Sequence, residues 1–342
     1  MNILLTCAGR RNYLVNYFKE ALGGKGKVYT VNSTAEATSM LVADGAFVAP
    51  PLYEDGYINY LIKICRQYQV DLLVSLFDME LPILANNKRR FDNIGVVVAV
   101  SDPEVIDICN DKTQTSCFAK RLGLEAPFTT TSIDKAIQKI TEGSINFPLF
   151  IKPRWGMGSI AMQRAETLDE LPVLFAKVQR DLKESYLVHY PQLDPNASVI
   201  IQSQANGQEY GLDIINDFEG NYVATFVKRK LAMRSGETDG AVTENVPALE
   251  DLGAKIGKEL GHIGNLDADV FWDGNNRILL EMNARLGGGY PFSHMAGANL
   301  PKAYLDWTNG KVADNKDLSI TIGAKGFKGL KIIKNNKMNR IF

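Results

Sequence analysis

The clearest alternation of apolar and polar positions lies between Asp267 and Asn283 and predicts a β-hairpin. Residues 273–276, Asp-Gly-Asn-Asn, are turn formers between the two alternating segments. Successive strand residues point to opposite faces of a sheet. Asp267 and Asp269 therefore share a face opposite Ala268 and Val270, and Glu281 and Asn283 share a face opposite Leu280 and Met282.

The length of the turn decides whether the carboxylates of this hairpin meet. A three-residue loop, Gly274 to Asn276, places Asp269 opposite Glu281, whereas two or four residues would send them to opposite faces. Facing carboxylates repel each other unless a cation lies between them, and with the amide of Asn283 they form an oxygen-only ligand set that suits magnesium. Arg285 follows on the same face, where it could meet an anion. The alternative is a solvated hairpin face without a chemical role.

Short apolar runs alternate with helical spacings over roughly the first hundred residues. The runs are residues 2–6, 28–31, 72–76 and 96–100, and the clearest helical spacing extends from Tyr13 to Leu22. Strands that alternate with helices predict a small parallel α/β sheet.

A dinucleotide-binding role for this sheet is disfavoured. Gly9 stands alone without the glycine fingerprint, and the second strand ends at Asn32-Ser33 rather than at an acid that could hold a ribose. Parallel sheets bind ligands beyond the carboxyl ends of their strands. The charged residues predicted there are candidates for a second-substrate pocket, or else ordinary surface charges: Arg10, Arg11, Asp78 and Glu80.

The middle of the chain predicts a strand that ends in a lysine and is followed by a glycine loop. After Asn110-Asp111-Lys112 and a helix over 113–122, residues 147–153 form an apolar strand containing Lys152. The loop 154–159 includes Gly156, Gly158 and Ser159, and residues 160–163 are predicted to resume the strand. Glycines let backbone N–H groups approach phosphate oxygens, although a plain hairpin turn is the alternative. The loop lacks the ending of a Walker A motif.

Further polar positions follow the strand at 199–202. This strand runs into a polar connection that includes Gln204, and Glu209 shares a face with Asp213. Such a connection can offer free backbone groups to a flat base, and a nearby carboxylate can accept from sugar hydroxyls. A basic cluster, 228–234, precedes the loop 235–240 and predicts either a solvated hairpin end or a phosphate and substrate loop. The segment 287–294, with Gly288 and His294, predicts a glycine-rich turn into a helix. From Lys311 on, one or two strands and a polar tail with Lys334, Lys337 and Arg340 are expected.

Composition excludes several classes of protein. The chain has 342 residues, enough for two or three structural units, with 45% hydrophobic and 23% charged residues and a net charge of −1. We therefore expect neither a nucleic-acid nor a membrane partner, and the amino terminus does not resemble a signal peptide. Four scattered cysteines and three histidines predict reduced thiols in a cytoplasmic protein, without a zinc site.

The order of these motifs resembles the ATP-grasp superfamily over about residues 1–310, especially the carbamoyl-phosphate synthase large subunit and stand-alone amino-acid ligases such as the pyrrolysine-biosynthesis ligase. The resemblance implies an α/β fold with a parallel pre-ATP-grasp domain at 1–108, a lid subdomain at 109–198 and an antiparallel catalytic subdomain at 199–310. A carboxyl-terminal extension at 311–342 would pack on the core or be partly flexible.

The same resemblance implies a role for each site residue. ATP would be bound by Lys112, Lys152, Gly156, Gly158, Ser159, Gln202, Gln204 and Glu209. Relatives often have an acid where Gln202 stands, so the backbone contacts alone would carry over. Magnesium, with Mn²⁺ as an alternative, would be bound by Asp269, Glu281 and Asn283. Arg285 would steady an acyl phosphate, and Arg234 lies near a further phosphate contact. Substrate would meet Arg10, Arg11, Asp78, Glu80, Gly288 and His294.

The implied activity is an ATP- and Mg²⁺-dependent carboxylate–amine ligase that forms an acyl phosphate from an amino acid or small carboxylate and releases ADP. The closest alternative is a synthase or kinase that forms an acyl or carbamoyl phosphate. A nucleotide-binding regulatory module and a dehydrogenase are weaker hypotheses. The expected partners are small-molecule carboxylates and amines. A homodimer is one open alternative for the oligomeric state, since the resemblance implies relatives that are often dimers.

Overall fold

A computed structural model of the chain describes residues 1–190 and 195–334 and contains three β-sheets flanked by helices. The predicted tail residues Lys337 and Arg340 lie outside this described part. Parallel strands occur in the first sheet and antiparallel strands in the other two, which confirms the predicted α/β class.

The amino-terminal sheet consists of parallel strands. Its elements are β1 (Asn2–Thr6), α1 (Asn12–Leu22), β2 (Lys27–Asn32), α2 (Thr38–Val42), β3 (Gly45–Val48), α3 (Tyr57–Gln67), β4 (Leu72–Ser75), α4 (Leu81–Asp92) and β5 (Val97–Val98). The strand order β3-β2-β1-β4-β5 reverses direction between β1 and β4, where parallel sheets open a crevice for ligands. Sequence reasoning missed β3, and the strand predicted at 96–100 has only two paired residues.

A smaller antiparallel sheet follows two connecting helices. The elements are α5 (Pro103–Asn110), α6 (Lys112–Arg121), β6 (Thr129–Thr130), α7 (Ile133–Thr141), β7 (Leu149–Pro153), β8 (Gln163–Ala165), α8 (Glu170–Glu184) and β9 (Val199–Ser203). Short 3-10 turns span Tyr186–His189 and Pro195–Ala197. The prediction that the strand resumes at Ile160 is wrong, because Ser159 and Ala161 adopt positive φ angles and the loop continues to Met162.

The largest sheet has six antiparallel strands. The elements in this part of the chain are β10 (Gln208–Asn216), β11 (Tyr222–Arg234), β12 (Glu237–Thr243), α9 (Pro247–Leu260), β13 (Gly264–Trp272), β14 (Arg277–Asn283), α10 (Tyr290–Met295), α11 (Leu300–Thr308) and β15 (Lys325–Phe327). The strand order in the sheet is β14-β13-β10-β11-β12-β15. A 3-10 turn spans Asn315–Leu318. The described part of the carboxyl-terminal extension is thus tied to the sheet through the pairing of β15 with β12.

A shared hydrophobic core fixes the sheets relative to one another. One cluster of buried side chains includes Leu73 of the first sheet, Phe118 of α6, and Leu279 and Met282 of β14. Packing of this kind holds the polar residues on the opposite face of the hairpin at a defined distance from the amino-terminal sheet. In the described part of the chain, no helix is long and apolar enough to cross a membrane, and the four cysteines form no disulfide.

Candidate active site

The β13–β14 hairpin brings the predicted acids together, but through a different turn. Trp272 pairs with Arg277, so the loop has four residues, and the Asp273 carboxylate accepts from the N–H groups of Asn275 and Asn276. The register then shifts, since Val270 pairs with Leu279 but Asp269 pairs with Glu281. The expectation that a four-residue loop would send the carboxylates to opposite faces is therefore wrong, because a β-bulge at Leu280 restores the register and Asp269 faces Glu281.

The bulge also changes one side-chain direction. Leu280 lines the cleft beside Glu281 rather than joining Met282 in the core, as strict alternation had predicted. The other predicted faces are confirmed: Ala268, Val270 and Met282 are buried in the core, and Asp267, Asp269, Glu281 and Asn283 line a single polar pocket.

Two buried lysines face these acids. Lys112 begins α6, whose N-cap Asp111 accepts from the N–H of Thr113 at 2.8 Å and is also bound by Arg154. Lys112 and Lys152 line the same cleft as Asp269 and Glu281, and Lys112 Nζ donates to the carbonyl of Gly156 at 2.7 Å. The structure therefore brings together the four residues on which the metal–triphosphate hypothesis depends.

Burial and mutual repulsion set the ionisation of this cluster. Burial, with the neighbouring Lys112 cation, lowers the pKa of Lys152 to about 8. Burial also lowers the pKa of Lys112. Burial alone would raise the pKa of Glu281, but the cations of Lys112 and Lys152 outweigh it and the pKa falls below its ordinary value. The cleft thus holds an ionised glutamate beside two cations that have little solvent around them.

Lys230 is a site residue that sequence reasoning did not select from its basic cluster. Its Nζ lies 2.7 Å from Glu209 Oε1 and 2.7 Å from Asp269 Oδ1. Burial opposes its charge, but the carboxylates of Asp269 and Glu209 outweigh that effect and raise its pKa. A usable signal was the alternation of β11, which puts Lys228 and Lys230 on one face of the strand next to β10, the strand that carries Glu209.

The donor set fits a magnesium ion bound together with phosphates. Burial raises the pKa of Asp269 to about 7, and the nearby Asp267 and Glu281 add to the rise while Lys230 opposes it. A divalent cation would relieve this crowding of acids. Asp269, Glu281 and Asn283 offer two carboxylates and one amide. Among the described residues, no three His, Cys, Asp or Glu side chains form a complete metal site by themselves. Magnesium typically takes one or two carboxylates and leaves its other positions to water and phosphate.

The cleft has a volume of about 300 Å³ and an apolar end suited to a flat base. Its apolar walls are formed by Phe150, Met162, Met233, Phe271 and Leu280, and Gln204, Ala205 and Glu209 lie at its polar edge. The side chain of Gln202 donates to Thr129 Oγ1 at 3.0 Å, so it is held within the sheet.

The glycine loop forms part of the wall of the same cleft. Gly156, Gly158 and Ser159 all line it. A Cβ atom on Gly236, in the turn between β11 and β12, would lie 2.7 Å from both the carbonyl carbon of Gly158 and Ser159 Oγ. The loop therefore rests directly on that turn, and the close approach depends on the missing side chain.

The predicted substrate residues are only partly gathered. Arg10, Arg11 and Asp78 line a second cavity of about 880 Å³ beyond the carboxyl edge of the parallel sheet. Glu80 is fully buried beneath it, where it accepts from Thr6 Oγ1 at 2.7 Å and Ser75 Oγ at 2.6 Å. Glu80 thus holds the floor of the cavity rather than facing it.

The remaining predicted residues occupy three places. Arg285 donates from Nε and Nη2 to Asp78 Oδ2, each at 2.7 Å, and lies 4.0 Å from Asp267. Gly288 lines a small pocket between the two larger ones, together with Arg11 and Arg285. Arg234 is exposed, pairs with Asp239 and lines the 880 Å³ cavity instead of the nucleotide cleft. His294 stacks on Tyr17 at 3.6 Å and lines none of these pockets.

Comparisons with family models agree with this architecture. Residues 3–99 match the model described as PylC-like, N-terminal domain. Residues 196–325 match the model described as ATP-grasp in the biosynthetic pathway with Ter operon. The predicted resemblance to ATP-grasp proteins of the PylC-like and carbamoyl-phosphate-synthase type is thereby confirmed.

Relatives and solved structures are consistent with this fold. The arginine-specific carbamoyl phosphate synthase large chain of Bacillus subtilis is 20% identical over 268 residues, which cover 76% of this chain and 24% of that protein. This chain therefore spans about a quarter of the length of the curated relatives it matches.

Two solved structures share the fold at low sequence identity. The biotin carboxylase domain of Hydrogenobacter thermophilus 2-oxoglutarate carboxylase, solved as a dimer with MgADP, ADP and bicarbonate, has a TM-score of 0.74 at 16% identity, covering 94% of this chain and 72% of that chain. An L-amino acid ligase from Bacillus licheniformis has a TM-score of 0.64 at 18% identity, covering 92% and 75%. The chain therefore has the ATP-grasp fold.

Proposed function

We propose that this ATP-grasp protein is an ATP- and Mg²⁺-dependent carboxylate–amine ligase that works through an acyl phosphate and releases ADP. The observation that carries the proposal is the convergence of Lys112, Lys152, Asp269 and Glu281 on one cleft. The metal end of that cleft leads, through the pocket lined by Arg285, to a separate large cavity. The MgADP named for the structural neighbour supports the choice of nucleotide and metal.

The residues would act mainly by positioning groups and neutralising charge. Lys112 and Lys152 would bind the phosphates, and the loop from Gly156 to Ser159 would exclude water above them. A magnesium ion held by Asp269, Glu281 and Asn283 would neutralise charge on the transferring phosphoryl group. Arg285, oriented by Asp78, would stabilise the acyl phosphate that forms when an oxygen of the substrate carboxylate attacks the γ-phosphorus and ADP leaves, and an amine would then displace phosphate from the acyl carbon.

A synthase or kinase that stops at an acyl or carbamoyl phosphate is the second candidate. The names of the curated relatives favour it, since they are carbamoyl phosphate synthases. The volume of about 880 Å³ favours the ligase, because bicarbonate or carbamate would occupy only a small part of such a cavity.

Release of ADP separates these activities. Purified protein would be incubated with ATP, Mg²⁺ and mixtures of amino acids, with and without added amines. ADP release that needs both a carboxylate and an amine supports the ligase, whereas release with a carboxylate alone supports the synthase or kinase. Nucleotide binding without turnover would support a regulatory module and contradict both.

Glu281→Gln tests the metal role in the same assay. We expect turnover to fall about 100-fold or more, because a carboxylate that would hold the charge-neutralising magnesium ion is lost. Glu259→Gln, on an exposed position of α9, is the matched control and should keep full activity. Undiminished turnover in Glu281→Gln, with both variants folded by circular dichroism, would contradict the role of Glu281.

A further inference from the structure

The cavity of about 880 Å³ has a wall that the ATP-grasp motifs do not include. Lys328, Gly329 and Leu330, which follow β15, line it together with Arg10 and Arg11. Lys328 is held there because its backbone N–H donates to the carbonyl of Asp239 at 2.7 Å. The segment after β15 is therefore part of this cavity.

The end of the cavity nearest the nucleotide cleft carries an excess of positive charge. Glu237 lies between two cations, 4.0 Å from Arg11 Nη2 and 3.6 Å from Lys328 Nζ, so neither contact is a close hydrogen bond. The other acids that line the cavity are already paired, Asp78 with Arg285 and Asp239 with Arg234. One loosely held carboxylate between two partly buried cations leaves a site for a second anion.

Arg11 connects this site with the chemistry. It lines both the large cavity and the small pocket that holds Asp269, Glu281 and Arg285. A carboxylate bound between Arg11 and Lys328 would therefore lie next to the metal and phosphate end of the nucleotide cleft.

Part of the cavity wall is aromatic and apolar. Phe77, just after β4, and Tyr186, just after α8, lie with ring centroids 5.9 Å apart, and Leu52, Tyr53 and Met79 also line the cavity. Rings of this kind stabilise an aromatic or branched body by burying its surface and by packing against its edges.

We propose that the cavity binds a carboxylic acid with a bulky apolar body, whose carboxylate lies between Arg11 and Lys328 and whose body packs against Phe77 and Tyr186. That this acid is the one activated by ATP rests on the proposed function, whereas its binding does not. Lys328 is on this account a specificity-determining residue contributed by the carboxyl-terminal segment.

Calorimetric titration without nucleotide tests the site directly. The probe is 3-phenylpropionate, compared with propionate, which lacks the ring, and 3-phenylpropanol, which lacks the charge. We expect the probe to bind about tenfold or more tightly than either comparator, because each lacks one of the two recognised groups. Failure of the probe to bind, or equal affinity for all three, would overturn the proposal.

Variants assign the two ends of the site. Lys328→Gln should weaken binding of 3-phenylpropionate about tenfold, while Lys331→Gln, an exposed lysine of the same segment that does not line the cavity, should not. Tyr186→Ala should remove most of the difference in affinity between 3-phenylpropionate and propionate. Arg11→Gln serves if Lys328→Gln does not fold. Equal affinity in the Lys328 and Lys331 variants would contradict the assignment.

A parallel titration with ADP separates this inference from the proposed function. If the unmodified protein binds 3-phenylpropionate but not ADP, the ligase is refuted and the carboxylate site is supported. If it binds ADP but not 3-phenylpropionate, the carboxylate site is refuted and the ligase is not.

Discussion

At the scale of single residues, the site depends on cations and acids that have little water around them. Lys152 is the clearest case, since burial and the neighbouring Lys112 bring its pKa to about 8 from an ordinary value of 10.5. A lysine that is neutral must take up a proton before it can bind a phosphate as a cation. Nucleotide affinity should therefore depend on pH in a range where lysines ordinarily do not titrate.

We predict that ADP binding, measured by calorimetry without a divalent metal, weakens as the pH rises above about 8. The lowered pKa means that the free protein loses the Lys152 charge there, so affinity should fall up to about tenfold for each pH unit. Lys112→Met removes the neighbouring cation and should shift this decline to higher pH, although overall affinity also drops. An affinity that stays flat to pH 9.5 would contradict the account.

Several residue roles could be proposed from the sequence because local alternation places a side chain on a face. Asp269 and Asn283 are of this kind. Lys230 was missed because its role depends on two strands at once, one carrying Glu209 and one carrying Asp269. Glu80 was selected as a substrate residue but is buried, because nothing in its local sequence shows that three hydroxyl groups donate hydrogen bonds to its carboxylate.

At the scale of elements, two local features shape the cleft that is lined by Lys112, Lys152, Asp269 and Glu281. The bulge at Leu280 brings Asp269 opposite Glu281 despite a four-residue loop. The pattern of apolar and polar residues cannot reveal such a bulge, because the extra residue changes the backbone pairing and needs no particular residue type. The second feature is the close contact between the glycine loop and Gly236.

Replacing Gly236 with alanine tests that contact. The new Cβ would clash with Gly158 and Ser159, so the loop should lift from the phosphates and kcat/KM for ATP should fall about tenfold or more. Gly310→Ala is the matched control, since Gly310 also has a positive φ but has open space around its Cβ position. Both variants should lose a similar ~1–2 kcal/mol of stability from backbone strain. Equal kinetics in the two variants would contradict the role of the loop.

At the scale of the whole molecule, a buried ion pair joins the amino-terminal domain to the hairpin. Asp78, just after β4, binds Arg285, just after β14, and both side chains are almost fully buried. The pair lies between two pockets, because Asp78 lines the cavity of about 880 Å³ and Arg285 lines the small pocket that also contains Asp269 and Glu281. The orientation of Arg285 therefore depends on this contact, which adds to the shared hydrophobic core in holding the amino-terminal domain against the hairpin.

Asp78→Asn should be strongly destabilising, because it leaves the Arg285 charge buried without its partner. Breaking such a pair typically costs ~3–5 kcal/mol, which denaturant unfolding would measure as a lower free energy of unfolding. Asp55→Asn, at an exposed position of the same domain, should be close to neutral. A free energy of unfolding equal to that of the Asp55 variant would show that the pair does not hold the domains together.

The overall architecture was predictable because each sheet type leaves its own periodicity in sequence. Buried runs separated by helices indicated the parallel sheet, although the short β3 was missed because Gly-Ala-Phe-Val is too brief to stand out. The substrate cavity was only partly predictable. Its walls come from segments as distant as Arg11, Tyr186 and Lys328, which only the folded chain brings together.

The central claim is that one cleft binds a metal and a triphosphate together, and a crystal structure with Mn²⁺ and the β,γ-imido analogue of ATP tests it most directly. The anomalous signal of Mn²⁺ should lie between the carboxylates of Asp269 and Glu281, with the phosphates against Lys112 and Lys152. A metal bound by other residues, or a nucleotide seated elsewhere on the protein, would contradict the account.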